Sequence, residues 1–390
     1  MKRKRRLRSL ALRRDLQMAM TALSEKTGRD RFEPGVFQIE HVCVTIPDLN
    51  PAFDGYRIAS IADIHLGQWL STKRLDGVIG MINKQHPDLI AIIGDLFSYE
   101  VDRYSTETIA SFTKLNPKDA SVAVLGNHDH WVGEAAVREI LQQSNIIDLS
   151  NDVYTLHRRG AALHFAGVDS VSLHKHRLDV VLSKLPSSGP AILLAHEPDF
   201  ADVSATTGRF SLQISGHSHG GQFIIPYIGT LVKAPHAKKY PLGRYQVGDM
   251  VQYTSRGLGT NVFWIRVNCP PEITVFTLTC ADGAQIKNKT KPFLRNVSRT
   301  LVIWVGEAVG LLLLAHFIPG LTINSFAAAI AFVVVLGIVN AILWPILTRC
   351  TLRFLTYTFG IGALLLNALM VWLTSILVPG AGVEGLGRSF

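Results

Sequence analysis

Residues 56–65, YRIASIADIH, carry a β-type apolar run, Tyr56–Ala62, straight into an aspartate and a histidine one residue apart. Short apolar runs rich in β-branched residues and closed by polar clusters read as strands. The same arrangement recurs along the chain. Leu89–Ile93 leads into Gly94-Asp95, and Ser121–Leu125 leads into Gly126-Asn127-His128-Asp129. Ala191–Ala195 leads into His196-Glu197, and Leu212–Ser215 into Gly216-His217-Ser218-His219-Gly220. Ala162–Gly167, Met250–Ser255 and Ile273–Leu278 are further predicted strands. Thr72–Lys84, Thr106–Thr113, Gly133–Gln143 and Leu178–Lys184 are predicted helices. Strand–helix alternation followed by more strands predicts an α/β layered sheet sandwich over residues 36–280.

In open α/β sheets the site lies at the carboxyl ends of the strands. Five such ends, if they converge, make a pocket of carboxylate, imidazole and amide. These ligand types, with no thiolate among them, suit divalent first-row ions and do not select among Mn, Fe, Zn, Co and Ni. One aspartate can bridge two ions. A pair ~3.5–4 Å apart lowers the pKa of a shared water and clamps phosphoryl oxygens during in-line attack. A separate imidazole can then protonate the leaving alkoxide.

The stretches FDGYRIASIADIHLG, DLIAIIGDLF, VAVLGNHDHW, ILLAHEPD, SLQISGHSHGGQ and YTSRGLGT, followed by PPEITVFTL, together resemble the calcineurin-like metallophosphoesterase superfamily. In detail they are similar to its YkuE/YaeI-type branch, over roughly residues 36–280. The resemblance implies a four-layer α/β/β/α sandwich and a metal-dependent phosphoric ester hydrolase of the phosphodiesterase type. It implies that Asp63, His65, Asp95 and His219 hold one metal ion. Asp95, Asn127, His196 and His217 would hold the other, with Asp95 bridging. His128 would be the acid or transition-state stabiliser and Asp129 would orient it. His130 extends the motif as a supporting or surface residue, and Glu197 and Ser218 are structural. His157, His164, His174, His176 and His236 match no ligand position.

Hydrophobic residues make up 48% of the 390-residue chain, and they are unevenly spread. From Leu301 onward only Glu307, Arg349, Arg353, Glu384 and Arg388 are charged. Residues 301–390 therefore read as an all-α transmembrane hairpin domain with spans at 301–318, 326–347 and 354–378. Ile318-Pro319-Gly320 and Val378-Pro379-Gly380 form a weak internal echo, as do Asn340-Ala341 and Asn367-Ala368. The tail resembles the phage-holin-like (YvlD-type) membrane family, minus a fourth helix. Lysines and arginines in the 281–300 linker, with Arg349 and Arg353, put both on the cytoplasmic side by the positive-inside rule. The expected location is thus the bacterial inner membrane, multi-pass, with the catalytic domain facing the cytoplasm.

The formal net charge is +9, and residues 1–14 hold eight Lys/Arg and no acid. Residues 15–300 carry 28 basic and 28 acidic side chains, so the excess sits in a basic N-terminal arm, residues 1–35, with a short helix. This argues against a nucleic-acid-binding face and allows contact with anionic lipid. Residues 15–30 are too polar to continue an export signal. Cys43, Cys269, Cys280 and Cys350 lie far apart and form no CxxC, which suggests neither a zinc ribbon nor a disulfide framework and fits a reduced compartment.

The segment Gly220–Gly248 is apolar and basic and follows the last metal motif, so it could wall a site for an amphiphile, with Lys233, Lys238 and Lys239 near an anionic head group. The expected substrate is a phosphodiester or pyrophosphate, lipid-linked because the enzyme is fused to a membrane tail. The alternatives are a phosphodiesterase for soluble nucleotides and a non-catalytic holin-like membrane protein. Nothing in the sequence bears on oligomeric state.

Overall fold

The structure is a computed structural model. It describes residue 15 and residues 17–24, 26–28, 30–225, 229–230, 232–261, 264–281, 321–336, 371–372, 374–378 and 381–383. The chain divides into two compact units, Met1–Ile286 and Lys287–Phe390.

The first unit contains a two-stranded sheet, β10 (Ile224–Ile225) with β11 (Gly229–Thr230), and two six-stranded ones. One runs in the order β1 (Gln38–Ile46), β14 (Glu272–Cys280), β2 (Arg57–Ile61), β3 (Leu89–Ile93), β4 (Ala120–Val124), β5 (Ile146–Asp148). The other runs β12 (Gly243–Val247), β13 (Met250–Thr254), β9 (Leu212–Ser215), β8 (Ala191–Leu194), β7 (Ala161–Gly167), β6 (Asp152–Arg158). Side chains alternate across each strand, and this builds three cores. Ile58, Leu89, Ala91, Ile93, Val122 and Val124 point to the middle and meet Phe165, Ile192, Leu194 and Ile214 of the second sheet. Ala59, Ile61, Ile90, Ile92 and Ala123 point outward, under α1 (Thr72–Asn83), α2 (Ser105–Phe112) and α3 (Asn127–Gln143). Ala166, Leu193 and Ala195 of the second sheet face away from the middle and pack with Val181 of α4 (Leu178–Lys184). The result is a helix–sheet–sheet–helix sandwich. Burying each Ile or Leu side chain contributes ~1.5–3 kcal/mol, so these cores dominate the folding energy.

The strands β2, β3 and β4 are mutually parallel, as are β8 and β9. Their carboxyl ends therefore open on one edge of each sheet. The helix expected over Gly133–Gln143 begins earlier, at Asn127, and is broken at Gly133 (φ 126). Its first turn is held by the Asp129 carboxylate, which accepts from Gly126 N at 2.9 Å.

The basic residues 1–14 lie outside the described residues. Residues 17–24 are helical, and the Thr21 hydroxyl donates to the Gly67 carbonyl at 3.0 Å, next to the first motif.

In the second unit, the 282–300 part of the linker and the 301–318 span lie outside the described residues, as does most of the other two spans. Residues 326–336 are helical, and among the described residues no helix is long and apolar enough to cross a membrane. The expectation of an all-helical tail needs correction in one respect. Leu321–Ile323 and Ala381–Val383 are strands, paired antiparallel. Each follows one of the echoed Pro-Gly pairs, which cannot continue a helix.

Candidate metal centre

The five motifs meet where the carboxyl ends of the two sheets face each other. Asp63, His65 and His219 place ligand atoms within 4.8 Å of one another, and so do Asp95, His196 and His217. His65, Asp95 and His128 form a third such group. Asp95, a member of the second group, also reaches the first: its Oδ2 is 3.2 Å from His196 Nε2 and 3.6 Å from His65 Nε2. Asp63 Oδ1 is 3.5 Å from His219 Nε2.

The backbone is strained here. Asp63, His65, Asp95, His217 and His219 all have φ between 47° and 66°. A β-carbon makes that region costly, and such outliers persist at sites where the surroundings over-determine them. The surroundings are tight loops. A Cβ on Gly94 would lie 2.5 Å from Gly126 N and 2.8 Å from His196 Nδ1. Only glycine lets the β3 and β4 ends close together beside His196.

Hydrogen bonds fix which imidazole nitrogen faces the pocket. His196 Nδ1 lies 2.7 Å from the Ile93 carbonyl, which can only accept, so Nε2 turns to Asp95. His217 Nε2 donates to the Pro235 carbonyl at 2.8 Å, leaving Nδ1 facing His196 Nε2 at 3.2 Å. His65 Nδ1 meets Ser98 Oγ at 3.0 Å, and its Nε2 faces His219 Nε2 at 3.0 Å. Asn127 Oδ1 is buried with no hydrogen-bond partner. Facing imidazole nitrogens, two buried carboxylates and an orphaned amide oxygen form a donor set that fits divalent cations.

The charges are strongly coupled. Burial, with the neighbouring Asp95, pushes the Asp63 carboxyl up to about 7, against the pull of His196 and Arg266. Burial acts the same way on Asp95, but His196, His128 and His65 outweigh it and hold Asp95 well below its ordinary value. Burial opposes a charge on His196, yet Asp95 and Asp63 raise it well above the ordinary histidine value. Burial lowers His128.

Asp129 does not orient His128 as expected. Its Oδ1 accepts from Leu96 N at 2.7 Å, and its Oδ2 from Asp95 N at 2.8 Å and Gly126 N at 2.9 Å. It ties the Asp95 loop to the helix start, because three nearby backbone donors have no other partner in the turn. His128 instead sits between His65 and Trp131, with ring centroids at 4.6 and 4.5 Å. Trp131 is 63% exposed, an aromatic face at the mouth that sequence reasoning passed over. Ser98 was also missed; its only signal is its place three residues after Asp95. Glu197 accepts from Ser170 Oγ, Val171 N and Ser172 N, a structural role. Of the predicted head-group lysines, Lys239 pairs with Asp202 at 2.6 Å and Lys233 caps the Lys238 carbonyl, so these two are engaged locally.

His130 is buried against Asp169, 2.6 Å from Nε2, with Glu134 at Nδ1. Burial opposes its charge, but Asp169 and Glu134 win and raise it above the usual histidine value. A raised value stabilises the fold fully below the unfolded pKa and loses that stabilisation as pH rises through the folded one. His130→Gln should therefore lower the melting temperature more at pH 5.5 than at pH 9. Equal losses at both would show that packing, not charge, holds this ring.

The calcineurin-like phosphoesterase family model matches residues 56–221. The chain is 35% identical over 229 residues to the uncharacterized metallophosphoesterase YkuE of Bacillus subtilis, covering 58% of this chain and 80% of that one. It belongs to the calcineurin-like phosphoesterase family. Like other calcineurin-like phosphoesterases, it is a metal-dependent phosphoric ester hydrolase. It is 26% identical to the phosphodiesterase YaeI of Escherichia coli over 280 residues, 69% of this chain and 99% of YaeI. A Danio rerio transmembrane protein with a metallophosphoesterase domain is 28% identical over 258 residues; the match covers 63% of this chain and 57% of that protein. Residues 298–390 of this calcineurin-like phosphoesterase match the family model for mycobacterial four-span phage holins, superfamily IV.

Proposed function

We propose that the chain is a membrane-anchored phosphodiesterase or pyrophosphatase with a dinuclear centre, acting on a lipid-linked substrate. Asp63, His65, Asp95 and His219 would hold one divalent cation. Asp95, Asn127, His196 and His217 would hold the second. The observation that carries this reading is that Asp95, a member of one three-ligand group, also lies 3.6 Å from His65 of the other, and that Asn127 Oδ1 is buried without a hydrogen-bond partner. When bound, the cations supply Lewis acidity, which acidifies a water and neutralises phosphoryl charge. The protein does the rest. Carbonyls of Ile93 and Pro235 fix the tautomers of His196 and His217. Asp129 fixes the Asp95 loop. His128, at the mouth, gives a proton to the leaving oxygen, and the indole of Trp131 screens it from bulk water.

The test of metal dependence is direct. Chelator-treated protein should lose hydrolysis and melt at a lower temperature, and Mn²⁺ should restore both with two equivalents bound. Metal at a hundredfold excess over Kd should contribute about 2.7 kcal/mol per site. Full activity with one equivalent would remove the dinuclear reading.

Anchoring is supported by the holin-type match and by the transmembrane relative. With spans at 326–347 and 354–378, as the sequence suggests, Arg349 and Arg353 would face the cytoplasm. The catalytic unit would lie on that side too. Confinement to a bilayer raises the effective concentration of lipid-borne substrate. In vesicles, the full chain should turn over a lipid-bearing diester faster than a soluble diester of equal reactivity. Equal turnover sinks the lipid assignment and leaves the hydrolase.

A further inference from the structure

Next to the metal centre lies a second cavity of about 440 Å³. It is set between the segment leading into β1, the stretch after the first motif, and the 260–271 loop. Its size is in the range of small-molecule sites, ~300–1,000 Å³. One layer of backbone separates it from the candidate ligands. Thr260 lines it, and the preceding Gly259 donates its N–H to the Asp63 carbonyl at 2.7 Å. Cys269 lines it, and its thiol lies 3.2 Å from the His219 carbonyl. Trp69 lines it, four residues beyond His65.

Two kinds of surface meet in this cavity. Val36, Phe37 and Trp69 give an apolar wall. Arg31, Arg74 and Arg266 line it with Glu33, while Asp30 also acts on Arg74 and Asp63 on Arg266. Arg74 lies over the Trp69 ring, 4.6 Å from its centroid, and Arg266 donates to the carbonyls of Gly257 and Arg256. Two further lining groups, Trp264 Nε1 and Thr260 Oγ1, are buried without any hydrogen-bond partner. A buried donor left unmade costs ~1–3 kcal/mol, so such groups call for an explanation. An indole N–H can only donate, so the missing partner is an acceptor. Near the cavity, Ile265 and Val267 are 56% and 42% exposed, and Val36 is 37% exposed.

We propose that this cavity is a subsite for an anionic amphiphile. Phosphate oxygens accept from Trp264 and Thr260 within the field of the arginines. The hydrocarbon next to that phosphate lies against Phe37, Trp69 and Val36, and leaves past Ile265 and Val267. The apolar groups around the opening extend the contact toward a bilayer surface, as at other amphipathic membrane contacts. The subsite deepens the lipid-linked reading and rests on it: the metal centre takes the scissile phosphate and the cavity takes the neighbouring anionic, chain-bearing part.

The test uses the full chain with Mn²⁺ and competes hydrolysis of bis(p-nitrophenyl) phosphate with methyl through hexyl phosphate. Each methylene buried at ~0.8 kcal/mol improves inhibition about fourfold, so hexyl phosphate should exceed methyl phosphate by at least about tenfold. The ratio of the two constants, taken within each variant, cancels changes at the metal centre. Val36→Asp, at a partly exposed position, should flatten that ratio. Trp264→Phe, which keeps an aromatic ring and removes the N–H donated to the phosphate, should weaken methyl and hexyl phosphate alike, by about tenfold, and leave their ratio unchanged. A wild-type ratio near one overturns the subsite, as does a ratio unchanged in Val36→Asp. AMP binding better than hexyl phosphate, with the same sensitivity to Trp264→Phe, also overturns it in favour of a nucleotide site. The vesicle comparison fails separately: preference for the lipid diester with a flat chain series removes only the subsite. A steep series without that preference removes only the lipid-linked substrate.

Discussion

Asp95→Asn should abolish hydrolysis, by about a thousandfold or more, and should cost the protein bound metal. The expectation comes from the carboxylate's place. Its Oδ2 lies 3.2 Å from His196 Nε2 and 3.6 Å from His65 Nε2, and its Oδ1 accepts from His128 N at 2.8 Å. It therefore faces both ligand groups and also orders the residue proposed as the acid. An amide in its place removes a negative charge and turns one oxygen into a donor among imidazole nitrogens. Loss of ~4 kcal/mol of electrostatic stabilisation in the transition state corresponds to about three decades in rate. Metal content by elemental analysis separates this account from a folding defect. The variant should keep its melting transition in chelator while binding fewer than two equivalents. A variant with two bound equivalents and a tenth of the wild-type rate would show that Asp95 is not shared.

The route from sequence to this pocket was open in some places and closed in others. The central strands could be read because both faces are covered. Ile90, Ala91, Ile92 and Ile93 all have to be apolar, and the run stands out. The edge strands could not be read that way. In β1 only Val44 and Ile46 are buried, and the half-buried and exposed positions admit Glu40, His41 and Cys43 in an unremarkable order. Edge strands β6 and β12 escaped for the same reason. The ligand candidates were visible because a chain seldom ends five strands in carboxylate and imidazole without cause. Their left-handed backbone was not visible, since aspartate and histidine carry no mark of φ. Nor were the carbonyls of Ile93 and Pro235, because every residue has one. Asp129 shows the limit most clearly. Its spacing after His128 suggested a partner for that ring, yet helix geometry turns it back to the N–H groups of Gly126, Asp95 and Leu96. Unsatisfied donors at a helix start compete for any nearby carboxylate, and here they win.

His128→Ala should separate the acid from the ligands by its dependence on the leaving group. His128 shares a ligand-type cluster with His65 and Asp95, so geometry alone leaves it two possible duties. As a proton donor it matters in proportion to the basicity of the departing oxygen. An alkoxide needs the proton in the transition state, and general acid catalysis there contributes ~10²–10⁴-fold. A nitrophenolate leaves without help. The variant should thus fall at least a hundredfold on an alkyl diester and less than about tenfold on bis(p-nitrophenyl) phosphate, with two metal equivalents retained. A ligand would behave differently: both substrates would suffer alike and metal would be lost. The surroundings favour the first pattern. His128 Nδ1 is buried without a partner, and its ring stands edge-on to His65 and leans on the exposed Trp131. That places it on the solvent side of the cluster, where a leaving group would emerge. Uniform loss on both diesters, with metal lost as well, would move His128 into the ligand set and leave the leaving group to be protonated by water.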